Sequence, residues 1–331
     1  MIPLLLLPAY LIGGWGWFIV PVVVFGAIPV CDALLGTWLY NPTPEESAAL
    51  LARRGFQLMT WCYVPVQIFL VFWGASLAGR LSTFEQIGLC FSVGLCTGAI
   101  GINLAHELMH KPGKFERGLS QILLLMVSYM HFYIEHLRGH HRQVATPGDP
   151  ASARLGENFY RFYLRAVPGA WFDAWALERT RLSKKSLPFW SRHNQMIWFT
   201  LLPLLLATAL GLAWGPAAVI FFVVQSIVAF SLLEIVNYVE HYGLSRSEIR
   251  PGVYEAVNLT HSWNSNHLLT NCLLFMLQRH SDHHAHQSKR YQVLQQVDTS
   301  PQLPAGYATM ILIALVPPVW HRIMDKKIVN S

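Results

Sequence analysis

The chain has 331 residues, 53% of them hydrophobic and only 13% charged, with a net charge of +6. Soluble domains carry about 25% charged residues, so an ordinary water-soluble surface is excluded. A nucleic-acid-binding fold would gather its positive charge on one basic face; here the charge deficit falls in long uncharged runs, the mark of a chain whose solvent is lipid.

A spanning helix needs about 20 mostly apolar residues. Residues 2–31 carry no charge and are interrupted by Gly13 and Gly14, so they read as a short helix near 2–13 and a second near 16–37. No positive segment precedes this run and no small-residue cleavage site follows it, which argues against a cleavable leader. Further spans are expected at 56–78, between Arg54 and Arg80, and at 86–105. Residues 196–236 contain one charge, Glu234, and are broken by Gly211, Gly215 and Pro216; they read as a hairpin of spans 196–212 and 216–236.

Residues 118–134 are also apolar, but histidine clusters lie on both sides of them. If both clusters serve one centre, the segment must begin and end on the same side. A helix of that length, roughly 25 Å, crosses once and cannot return, so it is read as interfacial or re-entrant, as is 306–319. The expected fold is an all-α integral membrane protein of six transmembrane helices with a cytoplasmic, histidine-rich metal cap. Residues 1–331 are expected to form a single membrane-embedded catalytic domain. Of 24 Lys and Arg, only Arg80 lies in an outside loop of this topology, which is the positive-inside bias.

Cys31, Cys62, Cys90, Cys96 and Cys272 form no CxxC pair, so they read as small hydrophobes and a fused rubredoxin-type iron site is excluded. Histidine is different: fourteen of fifteen fall between His106 and His286. His106 and His110, in HELMH, follow the 86–105 span at i, i+4 spacing, which puts both rings on one helical face. EHLRGHH repeats that spacing with His136 and His140, and adds His141. LQRHSDHH offers His280, His283 and His284, and NYVEHYG places His241 where the last span ends. Nine imidazoles are too many for one ion; two ions with four or five nitrogens each use them all. Neutral imidazole suits iron, copper, nickel and zinc alike, so the count gives the number of metals rather than their identity.

HELMH alone is also the HExxH of zinc proteases, but such a site needs three ligands and leaves two clusters unused. A divalent-metal transporter would carry its ionisable groups near the midplane of its spans, not at their ends. Glu107, Glu135, Glu240 and Asp282 adjoin the histidines and are candidates to accept the spare imidazole N–H. His131, His261, His267 and His286 are read as supporting or structural, and His193 and His321 as incidental. Trp15, Trp17, Trp38, Phe56, Trp61, Tyr63, Phe69 and Phe72 are candidates for an apolar channel or for packing. Arg138, Arg142, Arg154 and the basic residues of 161–185 are read as a face for an acidic carrier or for anionic lipid.

At HELMHK, EHLRGHH, NYVEHYG and LQRHSDHHA the chain resembles the alkane 1-monooxygenase family of membrane hydroxylases. VATPGDPASARLGENFY (144–160), HSWNSNH (261–267) and PQLPAGYA (301–308) are similar to further segments of that family. The resemblance covers roughly residues 20–327, and the N-terminal lead-in departs from it. It implies a non-haem di-iron centre held by His106, His110, His136, His140, His141, His241, His280, His283 and His284. It implies O2 as oxidant, n-alkanes hydroxylated to primary alcohols, and electrons from a separate rubredoxin reduced by an NADH-dependent reductase. A multi-pass protein of the bacterial inner membrane, with its site on the cytoplasmic side, is the matching location. The competing expectations are a xylene-type aromatic-methyl hydroxylase and a membrane di-iron desaturase.

Overall fold

The computed structural model describes residues 2–329, most of them helical. Among the described residues five helices are long and apolar enough to cross a membrane: Gly14–Leu35, Arg54–Ala78, Thr83–Met109, Gln195–Trp214 and Pro216–His241. They take in five of the six expected spans. The remaining one, near 2–13, is the apolar helix Ile2–Ile12. Its length of roughly 16 Å falls short of a hydrocarbon core about 30 Å thick. The number of candidate spans reaches six when the bent pair Tyr307–Ala314 and Pro317–Ile328, turned by 119°, is taken as one broken span.

Local sequence sets the helix boundaries. Ser82 Oγ accepts the Glu85 N–H while the Glu85 carboxylate accepts the Ser82 N–H, a reciprocal cap. The same carboxylate accepts the Gly14 N–H at 2.8 Å, so one acidic residue starts the third long helix and fixes the turn before the first. Asn194 Oδ1 caps Gln195–Trp214 through the Met196 N–H at 3.0 Å. Gly215, with φ of 83°, then makes the reversal into Pro216–His241 in a conformation that favours glycine.

The chain divides into two compact units. The first comprises the residues up to Gly26, Gln57–Ile134 and Asp173–Leu233. Within it Thr83–Met109 is the most enclosed of the five long helices, with 83% of its apolar window buried. Gly94 and Gly98 stand one turn apart where Val228 and Ala229 pack. A Cβ on Gly98 would lie 2.8 Å from the Ala229 carbonyl oxygen and 2.9 Å from its Cα. Helices in lipid gain no hydrophobic attraction for each other and depend on such close approach.

Residues 118–134 are not one continuous helix. Helix Lys114–Leu125 is followed by a turn in which Ser128 has φ of 53°. Two glutamines on the spans satisfy the carbonyls that this break frees. Gln67 Nε2 donates to Leu123 O at 3.0 Å and Gln225 Nε2 to Met126 O at 2.9 Å. Thr97 Oγ1 donates in turn to Gln225 Oε1 at 3.0 Å. Irregular backbone is tolerated at membrane depth only where protein supplies its partners, and hydropathy alone does not reveal those partners.

The second unit comprises Ala27–Phe56, Glu135–Phe172 and the residues from Glu234 onward. Buried polar anchors hold its loops. Asp32 accepts the Thr270 N–H at 3.0 Å and the Thr270 hydroxyl. The Arg279 guanidinium donates to the carbonyls of Trp38, Tyr40 and Leu294 beneath the Trp38 ring. Arg165 ties Glu157 to the carbonyls of Pro150 and Ser152. Two of the candidate aromatics for a channel or for packing, Trp15 and Phe69, are 78% and 61% exposed, as suits side chains that meet lipid.

Replacing Gly98 by leucine puts a side chain where neighbouring backbone already stands. The variant Gly98→Leu is expected to lose about 1–3 kcal/mol of stability, read as a lower melting temperature in detergent. Unchanged melting would mean that this helix contact does not form.

Candidate metal centre

The histidines sit at helix ends and turns, where a side chain can leave the helix cylinder toward a shared point. In the first unit His106 and His110 close Thr83–Met109, their ring centroids 5.1 Å apart at 86°. Glu107, between them, pairs with Lys111 at 2.9 Å. In the second unit residues His136–His140 form a π turn, and the His141 N–H reaches the His136 carbonyl. A π turn closes its bond over five residues rather than four, so His136 and His141 meet with Nε2 atoms 2.9 Å apart. His140 joins a different set.

That set is His140, His241, His280 and His284, which bring one ring nitrogen each to within 4.8 Å of one another. Ring centroids lie 4.8 Å apart for His140 and His241 and 4.5 Å for His280 and His284. The Nε2 atoms of His280 and His284 are 2.9 Å apart. His136, His141 and His283 form a second grouping in the same unit, again with ring nitrogens within 4.8 Å. The helix His280–Ala285 therefore divides its imidazoles between the two groupings, as the π turn does.

All nine histidines are buried, none more than 8% exposed. His140 Nε2 and His241 Nε2 are buried without a hydrogen-bond partner. Their Nδ1 atoms are engaged, by Asp149 Oδ2 at 2.9 Å and by the His261 carbonyl at 3.4 Å. A buried polar atom left unsatisfied costs about 1–3 kcal/mol, and a metal ion removes that cost. With Nδ1–H donated outward, the Nε2 lone pair is free to bind. His284 is held in the neutral, ligand form: burial first, then the neighbouring imidazoles His280, His141, His140 and His241, push its pKa well below the ordinary 6.5. The residues present thus fit a metal, and a purely imidazole donor set suits iron among others.

Carboxylates play several parts here. Glu240 Oε2 lies 3.3 Å from His280 Nε2, and its Oε1 accepts the Tyr307 hydroxyl at 2.8 Å. Asp282 binds His286, Lys289 and the Gln295 N–H. Glu135 is buried beside His136 in sequence. Asp149 and Tyr307 were not among the expected site residues. Both lie in segments that carried the family resemblance, yet no spacing rule connects them to a histidine. His261 supports His241 through its carbonyl. His267 accepts or donates at Ser265 Oγ and lines a cavity of about 260 Å3 of mixed polar and apolar walls, among them Thr37, Leu39, Asp298 and Leu303. His321 bonds the Tyr242 hydroxyl, and His193 is exposed.

A family model described as Fatty acid desaturase matches residues 82–314, and with it comes the class: a multi-pass, histidine-rich membrane protein of the desaturase type. Within that class the relatives are specific. Alkane 1-monooxygenase 1 of Pseudomonas aeruginosa is 45% identical over 321 residues, covering 95% of this chain and 83% of the relative. Alkane 1-monooxygenase of Pseudomonas putida is 41% identical over 321 residues, covering 96% and 80%. The Xylene/toluene monooxygenase hydroxylase component XylM of Pseudomonas putida is 26% identical, covering 95% and 82%. The chain belongs to the alkane 1-monooxygenase family.

The depressed pKa of His284 links stability to pH. Below about pH 6.5 the unfolded chain binds a proton there and the folded chain does not, so stability falls by about 1.4 kcal/mol per pH unit for this residue. Metal-free protein is therefore expected to unfold at lower denaturant concentration near pH 5.5 than near pH 7.5. A midpoint that stayed constant would show that this imidazole is solvated.

Proposed function

We propose that the chain hydroxylates the terminal carbon of n-alkanes to primary alcohols, using O2 at a centre of two iron ions. The observation that carries this reading is the buried four-imidazole set, in which the Nε2 atoms of His140 and His241 lack a hydrogen-bond partner, found in a chain of this family. His140, His241, His280 and His284 hold one ion. His136, His141 and His283 serve the other, and the family resemblance counts His106 and His110 among the nine ligands. Bound there, iron would supply the activation of O2 and the transfer of one of its oxygen atoms to a C–H bond, with alkane, O2, two electrons and two protons giving alcohol and water.

The remaining tasks fall to the protein. Asp149 and the His261 carbonyl accept the Nδ1 protons of His140 and His241, which leaves the Nε2 lone pairs toward the ion. Tyr307 donates to Glu240 and keeps that buried carboxylate beside His280. An alkane offers no polar handle, so selection rests on the shape of apolar space. Burial is worth about 0.8 kcal/mol per CH2, much of it already supplied by partition into the bilayer. We read the electrons as arriving from a separate carrier, a rubredoxin served by an NADH-dependent reductase. Six spans, one catalytic domain, and a histidine cap on the cytoplasmic side of an inner membrane accord with the distribution of Lys and Arg.

The likeness to XylM favours aromatic-methyl hydroxylation as a second reading, at 26% identity against 45% for the alkane enzyme. Membranes containing the chain, supplied with rubredoxin and its reductase, are expected to convert octane and hexadecane to their primary alcohols. Benzylic alcohol from xylene as the sole product would reverse the assignment. His241→Ala is expected to insert normally and to form no detectable alcohol by gas chromatography; near-normal turnover would remove that residue from the ligands.

A further inference from the structure

We propose that Asp149 is a positioning residue for His140, and that the loop carrying it fixes this ligand relative to His241. The inference rests on the two-ion reading above. His140 Nδ1 stands 2.9 Å from Asp149 Oδ2, and the Asp149 side chain is wholly buried. A buried carboxylate is tolerated only when its oxygens are bonded, and these are. Ser152 Oγ donates to Oδ2 at 2.6 Å, and the Ala151 N–H to Oδ1 at 3.1 Å.

The bonds continue outward from the carboxylate. Ser152 Oγ accepts the Ala145 N–H at 2.8 Å, and the Ser152 carbonyl accepts Arg165 Nη2 at 3.1 Å. Arg165 also grips Pro150 O and the Glu157 carboxylate. The Glu157 carbonyl accepts the Tyr238 hydroxyl at 2.7 Å, and the Ala153 carbonyl accepts the Gly243 N–H at 2.9 Å. Tyr238 and Gly243 flank His241 in the chain. The loop is thus braced on both sides of the second ligand while its carboxylate holds the first. With Asp149 accepting Nδ1–H, His140 can present only Nε2, the atom that is buried and without a hydrogen-bond partner. A carboxylate in this place both selects the tautomer and makes the ring a stronger donor.

Because His140 groups with His241, His280 and His284 and not with His136, His141 and His283, the effect of Asp149 falls on one ion of the two. Iron release tests this. Wild-type protein, Asp149→Asn and Ser152→Ala are loaded with isotopically enriched iron in detergent, exposed to a chelator and followed by absorbance and Mössbauer spectroscopy. Two irons in the wild type test the underlying reading by itself. Asp149→Asn is expected to release one iron about tenfold to a hundredfold faster, with the other at the wild-type rate and one Mössbauer doublet altered. Ser152→Ala should loosen the same iron to a smaller extent. Wild-type release of both irons in the variants, or equal loosening of both, overturns the role of Asp149. If Asp149→Asn does not fold, Ser152→Ala decides: faster release of a single iron sustains the proposal, and unchanged release ends it.

Discussion

Imidazoles buried against one another are unstable company unless something occupies the space between their lone pairs. Burial and mutual repulsion deny His284 a proton, and no water-exposed route satisfies the Nε2 atoms of His140 and His241. Hydrogen bonds from neighbouring side chains would relieve this, yet the outward-facing nitrogens have taken them: Asp149 and the His261 carbonyl bind Nδ1 and leave Nε2 for a cation. The polarity of the cluster is therefore arranged from outside inward. His140 and His241 are each oriented by an acceptor behind the ring, and the acceptor Asp149 is held in turn by Ser152.

That arrangement needs rigid supports, and a chain in lipid has limited means to provide them. Small residues let helices approach until backbone touches backbone, as Gly98 does at Ala229. Where the backbone leaves helical geometry, polar side chains on the spans must satisfy it, as Gln67 and Gln225 do for the break after Leu125. In water these glutamines would be unremarkable surface residues. In an apolar surrounding each is costly without a partner, so their presence in a span implies the carbonyl they meet.

How much of this the sequence discloses follows from the range of each interaction. Histidines four apart declare a shared helical face because the helix period is local, and the long apolar runs declare spans. The division of labour among the histidines was less accessible. Regular spacing groups His136 with His140, whereas the π turn pairs His136 with His141 and sends His140 to another set. The short helix Ile2–Ile12 was visible as a short run, but whether it crosses depends on thickness and tilt rather than pattern. Tyr307 approaches Glu240 from a sequence distance of 67 residues, and Asp149 reaches His140 through a turn with no periodicity. Such contacts exist only in the folded chain, so the motif segments around them carried a family likeness without a role.

The buried histidine site and the spans are held to different standards. The histidine groupings, their acceptors and the braced loop leave little room for change, because buried groups there share short hydrogen bonds whose atoms serve more than one partner. The spans answer to a looser demand: apolar side chains, close packing at a few glycines, and satisfied backbone. A substrate made only of CH2 and CH3 groups is sensed by shape alone, so chemical differences between substrates of this class must be read by that looser part.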